Sequence, residues 1–234
     1  PFFVRPLAGL RREPAVGFPA KIVYAVYITR IAGPGSGPGT SEPQTIYPQE
    51  YTMDTLTFVG MTGSLRRASR NKGLLRCCAA HLPEGVRMEI ADISALPFYN
   101  EDIEKPQAVK DLVAQVTAAD ALVLACPEYN YSMAPALKNA LDWLSREPNL
   151  APLNGKPACL LGAGGGMGTA RSQYQMRQTC VYLNLLLLNK PEFFSNAFSP
   201  AFDADGDLVD EGLIKQVAAL MQALADWTRF LKNA

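Results

Sequence analysis

The chain has 234 residues, 48% hydrophobic and 19% charged, enough apolar material for one sizeable core with length left over. Lys plus Arg equals Asp plus Glu at 22 each, so charge gives no reason to expect a nucleic acid or an acidic membrane surface as partner. Five cysteines without a CxxC pair and a single histidine, His81, argue against a zinc site or a disulfide framework. They suit reduced thiols in a cytosol-like, cytoplasmic setting, and no apolar run reaches bilayer length.

Residues 1–52 stand apart from the rest. They hold the stretch Gly33-Pro34-Gly35-Ser36-Gly37-Pro38-Gly39, which reads as a low-complexity, disordered extension. Basic residues (Arg5, Arg11, Arg12, Lys21, Arg30) outnumber acidic ones (Glu13, Glu42, Glu50), which leaves room for an acid-poor targeting peptide. Residues 53–234 read as the folded domain. Leu56 to Met61 is a buried strand, and Ser69 to Leu82 a helix. Val86 to Ile93 is a second strand, followed after a loop by a helix over Gln107 to Ala118 with Val109, Leu112, Val113 and Val116 on one face. Ala121 to Cys126 is a continuous apolar strand. Ser132 is expected to cap a helix running to Arg146, with Met133, Leu137, Leu141 and Leu144 as its stripe. Pro157 to Leu161 is the next strand and Thr169 to Leu183 the next helix. Leu185 to Phe194 is extended, and Pro191 marks it as an edge strand. Asp210 to Leu231 closes the chain as a helix, with Leu213, Val217, Leu220, Leu224 and Trp227 facing inward.

Strands alternating with helices predict an α/β fold, a five-stranded parallel sheet between two helical layers in the flavodoxin-like order 2-1-3-4-5. Ligands of such sheets bind beyond the carboxyl ends of the strands near the switch point, so the loops after strands 1, 3 and 4 should share one site. The first loop, Gly63 to Asn71, supplies hydroxyls, guanidiniums and an amide at a helix N-terminus, which is what a phosphate wants. It is neither GxxxxGK[ST] nor GxGxxG, so a terminal monophosphate fits better than a pyrophosphate or triphosphate. An ordinary Ser-capped helix start with solvated arginines is the other reading. The second loop, Pro127 to Ser132, offers two tyrosines and an asparagine to a planar heteroaromatic ring, or is a turn whose tyrosines pack locally. The third, Gly162 to Gly168, lets backbone N–H groups approach a ligand, or is a bare tight turn.

The motifs Gly63-Ser64-Leu65-Arg66-Arg67-Ala68-Ser69-Arg70-Asn71 and Pro127-Glu128-Tyr129-Asn130-Tyr131-Ser132, the latter continuing through Leu137-Lys138-Asn139-Ala140 and Asp142-Trp143-Leu144-Ser145-Arg146, carry a family likeness. So do Ala170 to Tyr174, Met176-Arg177-Gln178 and Lys190-Pro191-Glu192-Phe193. Together, over about residues 55–229, they resemble the NADPH-dependent FMN reductase family and its quinone and chromate reductase branch. The resemblance implies non-covalent FMN, its phosphate in the loop of Ser64, Leu65, Arg66, Ser69, Arg70 and Asn71. It implies a ring lined by Pro127, Glu128, Tyr129 and Asn130, with Gly162, Ala163, Gly164, Gly165 and Gly166 near its pyrimidine end. Arg70 stands where many relatives carry an aromatic, and Gly164 and Gly165 where a serine is common. The implied activity is hydride transfer from NADPH or NADH through FMN to a quinone or similar small oxidant, by a homodimer or homotetramer, with no catalytic acid or base named on the chain. A reductase that releases reduced FMN and a flavodoxin-type electron carrier are the alternatives.

Overall fold

Alternate residues of the first strand leave in opposite directions, and both directions are apolar. Leu56 and Phe58 enter one core and Val59 and Met61 the other, so the strand β1 (Leu56–Thr62) is covered on both faces. The computed structural model describes residues 55–233; the expectations for residues 1–52 lie outside them. The same alternation recurs in β3 (Ala121–Ala125), where Ala121 and Val123 face one core and Leu122 and Leu124 the other. It recurs again in β6 (Pro157–Gly164). One core is closed by α1 (Arg70–Ala80) and α5 (Glu211–Lys232). The other is closed by α2 (Gln107–Ala118), α3 (Pro135–Leu144) and α4 (Ala170–Tyr182).

All pairings in the main sheet are parallel, and its order is β2 (Val86–Ile90), β1, β3, β6, then β7 (Leu186–Leu187). With β6 as the fourth strand, this is the expected flavodoxin-like 2-1-3-4-5 sheet. The fifth strand is divided. β7 pairs with Pro157 and Ala158 at the start of β6, while β8 (Phe194–Asn196) pairs with Gly162 to Gly164 at its end. Pro191 sits in the gap, where it has no ladder hydrogen bond to donate. β2 is an edge strand of low burial, and Arg87 and Glu89 stud its surface.

Two local expectations are corrected. Ser132 does not cap α3. It belongs to a two-residue strand β5 (Ser132–Met133), antiparallel to β4 (Glu128–Tyr129). The helix starts at Pro135, whose fixed φ suits the first helical position, and it has no side-chain cap. Trp227 is not a core residue. It is half-buried and donates its Nε1 hydrogen to the Leu186 carbonyl at 3.1 Å, fastening α5 to the sheet edge.

Candidate active site

The loops after β1, β3 and β6 lie side by side, because those strands are neighbours: Thr62 is in register with Ala125, and Ala125 with Leu161. In the first loop, Ser69 is the N-cap of α1 and accepts from the Lys72 N–H at 3.3 Å. Its own O–H stays available as a donor. Ser64 is buried, whereas Leu65, Arg66 and Arg67 are exposed. Among the described residues, the N–H groups of Leu65, Arg66 and Arg67 find no acceptor, and neither does the buried Nε of Arg70. Asn71 points elsewhere. Its amide nitrogen donates to the Ala163 carbonyl and its oxygen accepts from the Ala163 N–H, both at 2.9 Å. This is a two-bond strut from the first loop to the third.

The second loop is the β4–β5 hairpin. Asn130 and Tyr131 form its two-residue turn, and both have positive φ, 51° and 67°. Asparagine tolerates that region; tyrosine adopts it only when held there. The holding comes from the first turns of α4. The N-cap Thr169 makes no cap bond, because its Oγ1 accepts from Gln173 Nε2 instead. Glu128 supplies the cap from the hairpin, accepting from the N–H of Arg171 at 3.1 Å and of Ser172 at 3.3 Å. The Arg171 Nε also donates to Glu128 at 2.6 Å, and its guanidinium lies 3.7 Å over the Tyr131 ring. Ser172 Oγ donates to the Pro127 carbonyl, and Gln175 accepts from Ser132 Oγ at 2.6 Å while donating to the Tyr131 carbonyl. Tyr129 and Tyr131 remain exposed.

The third loop turns tightly, with Gly168 N–H donating to the Gly165 carbonyl at 2.8 Å and Gly168 at φ 60°. Its glycines differ in kind. A Cβ on Gly162 would lie 2.1 Å from Thr169 Oγ1, and one on Gly164 2.1 Å from the Gly168 carbonyl. A Cβ on Gly165 or Gly166 would meet nothing within 4 Å. Those two face open space. The first loop also packs on the second, since a Cβ on Gly63 would lie 2.7 Å from that of Ala134.

The edge therefore offers unaccepted N–H groups, an orphaned guanidinium nitrogen, an aromatic wall and a bare backbone concavity. That donor set fits a phosphorylated planar heterocycle. Cys126 is fully buried beneath the hairpin, and burial pushes its thiol well above the ordinary range, which leaves it a packing group. His81 caps the far end of α1, its Nδ1 2.9 Å from the Cys77 carbonyl, away from the loops. Sequence reasoning brought the three loops together but missed Arg171, Ser172 and Gln175 as the residues that hold the hairpin. The run Arg171-Ser172-Gln173-Tyr174-Gln175 on the first turns of α4, dense in side-chain donors and acceptors, was the available signal.

The chain belongs to the NADPH-dependent FMN reductase family, whose profile matches residues 56–199. An NAD(P)H-dependent FMN reductase of Pseudomonas aeruginosa is 47% identical over 184 residues, which cover 77% of this chain and 99% of that one. An NADPH:quinone oxidoreductase of Arabidopsis thaliana is 45% identical over 180 residues, 72% of this chain and 91% of the relative. Among solved structures, a flavoenzyme NAD(P)H:(acceptor) oxidoreductase from Paracoccus denitrificans superposes with a TM-score of 0.68 at 29% identity, over 74% of this chain and 97% of its own.

Proposed function

We infer that this chain is an FMN-dependent NAD(P)H oxidoreductase that passes reducing equivalents to quinones. The observation that carries the reading is the junction of three loops at adjacent strand ends, with the Gly165 and Gly166 backbone facing open space beside them. In this reading Ser64, Arg66, Ser69 and Arg70, with the N–H groups of Leu65 to Arg67, hold the phosphate. Pro127, Glu128, Tyr129 and Asn130 line the ring, and Gly165 and Gly166, at the open end of the glycine stretch, present N–H donors to its pyrimidine edge, where negative charge gathers on reduction, while the Ala163 N–H stays with Asn71. Asn71 takes the role of a strut rather than a ligand.

FMN held here would supply the hydride chemistry between NAD(P)H and the acceptor. The chain's own residues bind and orient. Exposed Tyr129 and Tyr131 give the donor's nicotinamide and the quinone an apolar platform, and each uses it in turn. The name of the Pseudomonas relative favours a second reading, in which reduced flavin leaves the protein. We further propose a homodimer or homotetramer in a cytoplasmic compartment. All five cysteines are buried and unpaired, as a reducing compartment allows. Residues 53–234 suffice for activity.

The test is an absorbance spectrum of the purified protein, followed by anaerobic NADPH and then a benzoquinone. Yellow protein that bleaches and recovers supports the reading. Protein that cannot be loaded with FMN sinks it, and flavin lost to the filtrate after reduction favours release. Deleting residues 1–52 is expected to leave the cycle intact.

A further inference from the structure

The hairpin wall carries a charge pair, a buried carboxylate with a half-exposed guanidinium, that neither phosphate binding nor stacking requires. The Glu128 side chain is 7% exposed, and its carboxylate is matched on three sides: by the Arg171 guanidinium at 2.6 Å and by the N–H groups of Arg171 and Ser172 at the positive end of a 13-residue helix. Among the described residues the guanidinium has no second carboxylate. Its other face lies on the Tyr131 ring. Serine, glutamine and backbone groups make up the remaining contacts of the hairpin with α4, and all are neutral. The wall is therefore electrically neutral only while Arg171 is in place.

We propose that Arg171 sets the redox poise of the flavin, by cancelling the charge of Glu128 beside the ring. This rests on the ring lying against the hairpin, as assigned above. Arg171 acts through Glu128, so it is a positioning and charge-compensating residue that does not touch the reacting atoms. Without the guanidinium, the carboxylate stays seated on the helix N-terminus and presents a net negative charge to a ring that becomes more negative as it is reduced. Charges in a half-buried setting interact far more strongly than in bulk water, so reduction becomes harder and the midpoint potential falls. Without the carboxylate, the guanidinium is left in excess and the potential rises. A Gln at position 128 keeps the length and an acceptor for the helix N–H groups, so Glu128→Gln removes charge with little change in shape.

The experiment measures the two-electron midpoint potential of the FMN-loaded full chain by equilibration with reference dyes. The variants are Arg171→Gln, Arg171→Lys, Glu128→Gln and the double Glu128→Gln/Arg171→Gln, each with a thermal melt as a check on folding. Arg171→Gln is expected to shift the equilibrium at least tenfold toward oxidised flavin, about 30 mV more negative. Glu128→Gln moves it the other way, Arg171→Lys restores it, and the double variant returns near the wild-type value. Single variants that move the potential in the same direction, or leave it unmoved while only retention of FMN changes, overturn the proposal. Should Arg171→Gln fail to fold, the rise in Glu128→Gln and its cancellation in the double variant decide the matter. Wild-type protein that takes up no FMN would instead overturn the functional reading beneath it.

Discussion

Gly162 and Gly165 are three residues apart, with Ala163 and Gly164 between them, yet they are glycine for different reasons. Gly162 must be small because Thr169 occupies its side-chain space; Gly165 has space and leaves it open. Gly165→Val is therefore expected to leave the melting temperature of the flavin-free protein unchanged within error while weakening FMN binding at least tenfold, measured by fluorescence titration. Equal loss of stability in the flavin-free protein would mean that the glycine serves the turn and not the ligand. Arg66 gives a second test at this scale. It is exposed and makes no bond to a described residue, so its removal costs the fold little. Arg66→Ala is expected to weaken FMN retention by roughly 1.5–3 kcal/mol, the scale of a charge-assisted hydrogen bond. Unchanged retention removes Arg66 from the phosphate site.

Among the elements, what could be read from the sequence was what repeats. The strand β3 is an unbroken apolar run, β1 is an apolar run interrupted at Thr57 and Gly60, and α2 and α5 keep a helical period, so they fall within a residue or two of their expected ends. The β4–β5 hairpin was missed because it has two residues per strand and no glycine in its turn, too short for any period and without the usual turn signal. Its proline at 135 was the better marker of where α3 begins. The fifth strand was expected as one piece and is two, since each half is set by its partner on β6 rather than by its own composition. The candidate site residues could be read by type, but their contacts could not. Asn71 reads as a phosphate ligand from its motif, whereas its partner, Ala163, lies 92 residues away and gives no signal at all. Asn71→Ala leaves a buried N–H and a buried carbonyl of Ala163 without partners, and it is expected to cost about 1–3 kcal/mol in urea denaturation. A smaller loss accompanied by loss of FMN would restore Asn71 to the ligand set.

Over the whole molecule, the two ends of the sheet are organised by opposite means. The carboxyl end keeps donors free; the amino end is closed by ion pairs and hydrogen bonds. There Asp120 accepts from the Thr57 N–H and from Lys232, both at 2.7 Å, tying β1 to the end of α5. Burial by itself would raise the Asp120 pKa, but the bonds from Lys232 and Thr57, with Lys156 nearby, hold it below the ordinary carboxylate range. A carboxyl with a lower pKa in the folded state adds stability that is complete above the unfolded value and is lost as pH falls through the folded one. Asp120→Asn is thus expected to be less stable than wild type near neutral pH, with the difference shrinking as pH falls through the lowered Asp120 pKa, in denaturant melts from neutral to acid. A difference that persists in acid would assign the loss to packing. The core behind both ends holds the thiols, where burial pushes Cys159 and Cys180 up to about 12 and Cys77 to about 11. They stay protonated and chemically quiet.

Each of the three loops is tied to a neighbour: Gly63 against Ala134, Asn71 to Ala163, and Glu128 to the helix that follows the glycine turn. Loops joined in this way do not fray one at a time. Their amides should exchange with solvent as one cooperative unit, with a shared opening free energy, although they come from stretches of sequence far apart. A ligand that prefers the closed edge draws on that single equilibrium. Loading with flavin should therefore slow deuterium uptake across all three loops by a common factor, including at Ala163 and Ser172, whose N–H groups face the protein and not the ligand.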